Sequence, residues 1–306
     1  MEAPPARAQP LLPITLPRTI DAIKAYSPCQ PLTIIVASYP KSGTTWMQNV
    51  VFELVTLKRF RETGERIELD HISNFCPFME NDKSWVFGED GVAVEGLQGN
   101  HAVAHAKVGA TIFNSHVYLD MMPSDPSVKL LYMTRAPRDV CNSFYHHLSH
   151  QAAEDGGYEG SREEFVRDWS DGKIAFGAWG DHLRSWLNED GSCKVENCLR
   201  VDYADMKADL RSAVQATARH LGMRELGVEE MEDILPRLDI SYMKENIDKF
   251  EPKSVTWVDK GDGFSFVRKG AIGDGKKEFG EEDEKVFLEG FKKFPPPPGC
   301  SGLMGG

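Results

Sequence analysis

The 306-residue sequence predicts one α/β domain, a central, mostly parallel sheet flanked by helices. Two segments that pass from strand through turn into helix predict it, together with a further short strand lying between helical patterns. In the first segment, Leu32-Thr33-Ile34-Ile35-Val36-Ala37 is a β-branched run suited to a strand buried on both faces. Residues 38–45 supply the turn, and Trp46, Val50, Leu54 and Leu57 then recur at helical spacing. In the second, Val128–Met133 is the strand, Thr134-Arg135-Ala136 the turn, and Pro137 opens the helix, where its missing N–H costs nothing. Further helices are predicted over 163–187, with Phe176, Trp179, Leu183 and Trp186 on one face, and over 206–221. Between them Cys198–Val201 reads as another strand. Ligands of such sheets bind at the carboxyl ends of the strands, the edge where both turns lie.

No internal repeat or Pro/Gly/Ser-rich linker divides the chain, so the domain is expected over residues 21–294. Residues 1–20 and the Pro/Gly-rich tail 295–306 are expected to be poorly ordered. Lys and Arg number 35 against 47 Asp and Glu, a formal charge of -12, which argues against a nucleic-acid or membrane partner. An anionic ligand must therefore sit in a local basic pocket. The N-terminus lacks an apolar signal core, no 18 apolar residues run together, and the six cysteines form no CxxC pair. A cytoplasmic protein with reduced thiols is expected.

The first turn, Tyr39-Pro40-Lys41-Ser42-Gly43-Thr44-Thr45-Trp46, carries the most chemistry. A glycine entering a helix lets backbone N–H groups converge on an anion, and the helix N-terminus adds about half a positive charge. Thr44 and Thr45 add hydroxyls and Lys41 a full cation. Lys41 precedes Gly43, and no second glycine opens the loop, so the nucleoside-triphosphate signature GxxxxGK[ST] is missing. The turn reads as a phosphate-type cradle and counts against a P-loop kinase.

Four segments in order resemble the cytosolic sulfotransferases, which draw on 3′-phosphoadenosine 5′-phosphosulfate (PAPS). The 39–46 turn resembles their P-loop-like 5′-phosphosulfate loop. Residues 134–145, from Thr134-Arg135 through Ser143, resemble the 3′-phosphate motif, in which an Arg and a Ser eight residues on hold that phosphate. Asp202-Tyr203-Ala204-Asp205-Met206 resembles the segment whose Tyr contacts adenine, and Arg268-Lys269-Gly270 through Gly273-Asp274 resembles the loop that closes on the nucleotide. The resemblance implies PAPS as donor, no metal, Lys41 and residues 42–45 on the phosphosulfate, Trp46 stacked on adenine, and Arg135, Ser143, Tyr203, Arg268, Lys269 and Gly270 completing the donor site. It also implies that His116, in Phe113-Asn114-Ser115-His116, is the base that deprotonates a small-molecule hydroxyl acceptor. Histidine suits that task at neutral pH.

Three positions depart from the pattern. Asn114 stands where the family has a lysine and removes a cation from the transfer centre. Gly275 replaces a tryptophan, which is expected to loosen the closing loop. Gly280 and Glu281 replace the apolar pair of a dimerisation stretch, so a monomer is expected. Phe78 and His147 are expected to wall the acceptor pocket, with a phenol or monoamine as acceptor. The alternatives are a hydroxysteroid or alcohol sulfotransferase, or a non-catalytic relative that only binds the nucleotide.

Overall fold

The computed structural model describes residues 9–28, 30–91, 93–95, 100–268 and 270–305. Among the described residues six strands are formed: β1 Thr33–Ser38, β2 Val86–Phe87, β3 Ala93–Glu95, β4 Thr111–Ser115, β5 Lys129–Thr134 and β6 Cys198–Asp202. Four make a parallel sheet in the order β4-β1-β5-β6, and β2 and β3 pair antiparallel on their own. In the sheet Ile34 lies opposite both Ile112 and Lys129, and Leu131 opposite Leu199.

β1 is flanked on both sides and buried at all six positions, which is why its sequence is an unbroken apolar and β-branched run. Its side chains alternate between two cores. Ile34 and Val36 pack with Met47, Val50 and Leu131 beneath the Thr44–Thr63 helix. Ile35 and Ala37 pack with Phe113, Tyr132, Phe144 and Trp186 on the other face. A period of two in one strand thus sets both layers of the domain.

Two predicted helices are broken. The single helix expected over 163–187 is Arg162–Ser170 followed by Trp179–Trp186. Between them Gly172, Phe176 and Gly177 have φ of 69°, 73° and 72°, which no right-handed helix accommodates. The helix expected over 206–221 is Tyr203–Ala208 and Leu210–His220, because the Asp209 side chain accepts from the Ser212 N–H and restarts the chain with a cap.

The described parts of the two ends do not stand apart as expected. Gln9 and Leu12 are buried, and a helix begins at Pro17. The tail forms a 3-10 segment over Pro298–Gly305, and its Cys300 is buried in the core. Tail composition favours disorder only while nothing covers it; here the Gly299 N–H donates to the Glu189 carbonyl and the Met304 carbonyl accepts from Arg138. Gly280 caps the Glu281–Lys293 helix, so the altered dimerisation stretch is helical at its end. Among the described residues no helix is long and apolar enough to cross a membrane.

Candidate active site

A cavity of about 310 Å³ opens at the carboxyl ends of the parallel strands. The turn after β1 enters it first. Tyr39 is anchored in the core, its hydroxyl donating to the Gly177 carbonyl at 2.9 Å. Lys41 takes φ of 67°, rare for a residue with a Cβ, and Gly43 takes φ of 100° as the N-cap of the Thr44–Thr63 helix. A Cβ at Gly43 would come 2.7 Å from Tyr203 Cδ2, so only glycine lets the backbone pass under that ring. The helix N-terminus has no side-chain cap, and Thr44 and Thr45 lie on the cavity wall. Thr44 Oγ1 lies 2.7 Å from Ser38 Oγ.

Three cations meet here. Arg135 donates to the Lys41 carbonyl at 3.0 Å and to the Ala271 carbonyl at 3.1 Å, and its guanidinium lies 4.4 Å over the Tyr203 ring. It therefore ties the first turn to the closing loop. Arg268 pairs with Asp274 at 2.7 Å. Burial, with the Arg135 and Arg268 charges added, lowers the Lys41 ammonium to about 7. Lys41 Nζ sits 3.3 Å from His147 Nδ1 and 4.3 Å over the Phe266 ring. Burial first, then the Lys41 charge, pushes His147 well below its usual range, so its ring is neutral and accepts from the ammonium.

His116 follows β4. Its Nδ1 is 2.8 Å from the Ser38 carbonyl, which can only accept, so the proton is assigned to Nδ1 and Nε2 carries the free lone pair. Burial lowers this imidazole to about 4; the Ser38 carbonyl opposes that shift and the Lys41 charge adds to it. The ring is neutral at pH 7 and free to take a proton. Phe78 and Phe176 pack beside it, with ring centroids 5.6 and 5.3 Å away.

Of the residues expected from the sequence, Lys41, Gly43, Thr44, Thr45, Trp46, Phe78, His116, Arg135, Ser143, His147, Tyr203, Arg268 and Gly270 all line this cavity. Ser42 is buried instead, its hydroxyl lacking a partner among the described residues, and Lys269 lies outside those residues. Trp46 serves both core and wall: its Nε1 donates to the Leu238 carbonyl at 2.7 Å and its ring meets Tyr203 edge-on at 5.4 Å.

Two departures acquire a physical meaning. The Asn114 amide donates to the Cys76 carbonyl at 2.6 Å, so it supports the wall more than the transfer centre. Gly275 does not loosen the loop. A Cβ there would fall on the Arg138 carbonyl, so glycine allows backbone to dock on backbone. Asp139 fastens the contact, accepting from the Gly273 and Gly275 N–H groups at 3.0 and 2.8 Å. Asp139 also lies 3.7 Å from Arg135, one helical turn earlier. That i,i+4 spacing was visible in the sequence, but its partner loop was not. A second carboxyl escaped the sequence reading: Glu80, fully buried, accepts from Ser115 Oγ and from the His116 backbone N–H. Burial pushes it up to about 8.

The comparisons agree with this geometry. The sulfotransferase domain model matches residues 31–294. The 3-beta-hydroxysteroid sulfotransferase of Cavia porcellus is 28% identical over 272 residues, covering 86% of this chain and 84% of the relative. Sulfotransferase 1 family member D1 of Rattus norvegicus is 26% identical over 267 residues, covering 86% and 83%. The fold resembles mouse sulfotransferase SULT7A1 complexed with PAP, with TM-score 0.65, 20% identity and coverage of 92% of this chain and 90% of that one. It also resembles a retinol dehydratase in complex with androsterone and inactive cofactor PAP, with TM-score 0.64, 21% identity and coverage of 91% and 86%. With a family model spanning most of its length and a cation-lined cradle at the strand ends, the chain belongs to the sulfotransferase family and is an enzyme of that class.

Proposed function

We propose that the protein transfers a sulfuryl group from PAPS to a neutral hydroxyl acceptor of ring-bearing type, a phenol or a hydroxysteroid. The observation that carries this reading is the meeting of a half-buried ammonium, two guanidinium groups and a neutral imidazole on one cavity wall. The residues fit such a donor: three cations crowd together, and Ser42 Oγ and Arg135 Nε are buried without partners among the described residues. Arg135, Ser143 and Arg268 would hold the 3′-phosphate, Trp46 and Tyr203 the adenine, and Lys41 with the 42–45 turn the phosphosulfate.

PAPS supplies a sulfuryl group on a phosphate leaving group, and the transfer resembles phosphoryl transfer in needing position and charge neutralisation more than covalent help. Lys41 would donate a hydrogen bond from its ammonium to the oxygen on which charge develops, and the N–H groups of the helix N-terminus would add to it. His116, protonated on Nδ1, takes the acceptor proton on Nε2. Phe78, Phe144, Phe176 and Phe266 wall the cavity with apolar surface.

The charge on that wall bears on the acceptor. Among the described residues lining the cavity none is Asp or Glu, whereas Lys41, Arg135, Lys253 and Arg268 are. A cationic monoamine would meet like charge without a carboxylate partner. Glu154 and Asp155 do not line the cavity, and Asp155 accepts from the Thr256 N–H. Transfer of labelled sulfuryl from PAPS to phenols, hydroxysteroids and monoamines, with His116→Ala in parallel, tests the reading. Turnover of the neutral panel that is lost in His116→Ala supports it. Nucleotide binding without any transfer would leave a protein that only holds the nucleotide.

A further inference from the structure

The chain before β1 reaches the base. Gln9 is 7% exposed and lies 107 residues from His116 in sequence. Its Nε2 donates to the His116 carbonyl at 2.9 Å and to the Phe176 carbonyl at 3.2 Å, while its Oε1 accepts from the Tyr118 N–H at 3.0 Å. Both amide protons and the carbonyl are thereby used, which is what burial of this group demands. The next residue continues the contact: the Pro10 carbonyl accepts from the Phe176 N–H at 2.6 Å.

These partners belong to two of the segments that surround the imidazole. One is the end of β4 with the residues after it. The other is the turn that separates the Arg162–Ser170 and Trp179–Trp186 helices, where Phe176 is held at φ of 73° with its ring against His116. A bulky residue persists at positive φ only where its surroundings over-determine it. Gln9 and Pro10 hold both backbone polar groups of Phe176. His182 supports the same carbonyl from the far side: its Nε2 is 3.0 Å from the His116 oxygen, and its Nδ1 accepts from the Tyr132 hydroxyl at 2.8 Å. The family match begins only at residue 31, so Gln9 belongs to no part of it.

We propose that Gln9 is a positioning residue for the transfer reaction, a bracket from the N-terminal segment that locks the His116 backbone and the Phe176 turn so that the imidazole faces the acceptor hydroxyl. The proposal rests on His116 being the base. Gln9 touches no reacting group and acts through the backbone on either side of the ring.

Gln9→Met keeps the volume and removes all three hydrogen bonds. A misplacement near 1 Å costs up to about a hundredfold in rate, and the remaining His182 bond limits the displacement, so kcat should fall about tenfold. KM for PAPS and the affinity for the desulfated nucleotide, adenosine 3′,5′-bisphosphate, should stay within about twofold, since no donor-binding group is touched. A positioning role also predicts a spectroscopic change: the His116 Nδ1–H resonance, held by the Ser38 carbonyl, should broaden or vanish in Gln9→Met. A kcat equal to that of the unaltered protein, an unchanged Nδ1–H resonance, or a parallel loss of nucleotide affinity would overturn the proposal. Should Gln9→Met not fold, Gln9→Asn asks the same question by withdrawing the amide one methylene. His116→Ala separates the two readings: if it retains turnover the base assignment fails, and if it is inactive while Gln9→Met is unimpaired only the bracket fails.

Discussion

The cationic and aromatic parts of the cavity wall are built in different ways. The cationic part comes mostly from three short segments, Lys41 through Thr45, Arg135 with Ser143, and Arg268 with Gly270 and Ala271, and Lys253 adds a cation from outside them. Each carries its own local device, a helix N-terminus, an Arg one turn before Asp139, or a loop docked through Gly275. The aromatic part is gathered from residues far apart in the chain, among them Phe78, Phe144, Phe176 and Phe266. Anion binding needs donors and charge at one point, which a turn can supply alone. An apolar wall needs only surface, and any nearby element can lend it. Charge is therefore concentrated in motif, and shape is spread over the fold.

Substitutions can sharpen this contrast. The largest effect is expected at His116, where the two parts meet: His116→Ala should lower turnover by about a thousandfold, as general-base catalysis allows, with nucleotide affinity retained, measured by transfer assay and calorimetry. On the cationic side Lys41→Met should reduce kcat by about a hundredfold through the loss of charge at the leaving oxygen. It should also remove a pH dependence. An ammonium lowered to about 7 must be protonated to greet an anion, so the affinity of the unaltered protein for adenosine 3′,5′-bisphosphate should fall as pH rises above 7. Lys41→Met should show a flatter profile, and a profile identical in both would refute the assignment. Arg135→Lys should weaken nucleotide binding by about tenfold, because it loses a bidentate fork and both loop carbonyls together.

The smallest effect tests the buried carboxyl beside the His116 backbone. Glu80, pushed up to about 8 by burial, stays protonated in the fold where the unfolded chain would ionise. Stability should therefore decline as pH rises from the ordinary carboxylate range toward 8, by at most about 1.4 kcal/mol per pH unit. Glu80→Gln keeps an oxygen for Ser115 and His116 and should flatten that decline in urea melts at pH 5 and 8. Equal slopes would mean that Glu80 is ionised in the native state.

The turns at the strand ends were legible because local spacing dictates them, with the glycine before a helix, Pro137 at a helix start and Arg135 just after a strand, whereas His116 was legible only through resemblance to a family motif. The β1 run announced burial on both faces for the same reason. The 163–187 pattern misled because periodicity records which face is apolar and not whether the backbone between is helical. Trp169 and Trp186 reach the same core on either side of a turn that only Gly172, Phe176 and Gly177 reveal. Composition likewise assigned Gln9 and Cys300 to loose ends, although both are buried in partners supplied by distant segments.

Sequence by itself determined the layered sheet and the anion cradle, because each follows from residues within a turn or two of one another, and it offered His116 only through resemblance to a family motif. Tertiary structure alone decided that Asp139 fastens the closing loop, that Asn114 serves the wall, and that Gln9 stands behind His116. A hydrogen bond between residues a hundred positions apart depends on how the chain returns, and no local pattern encodes that distance.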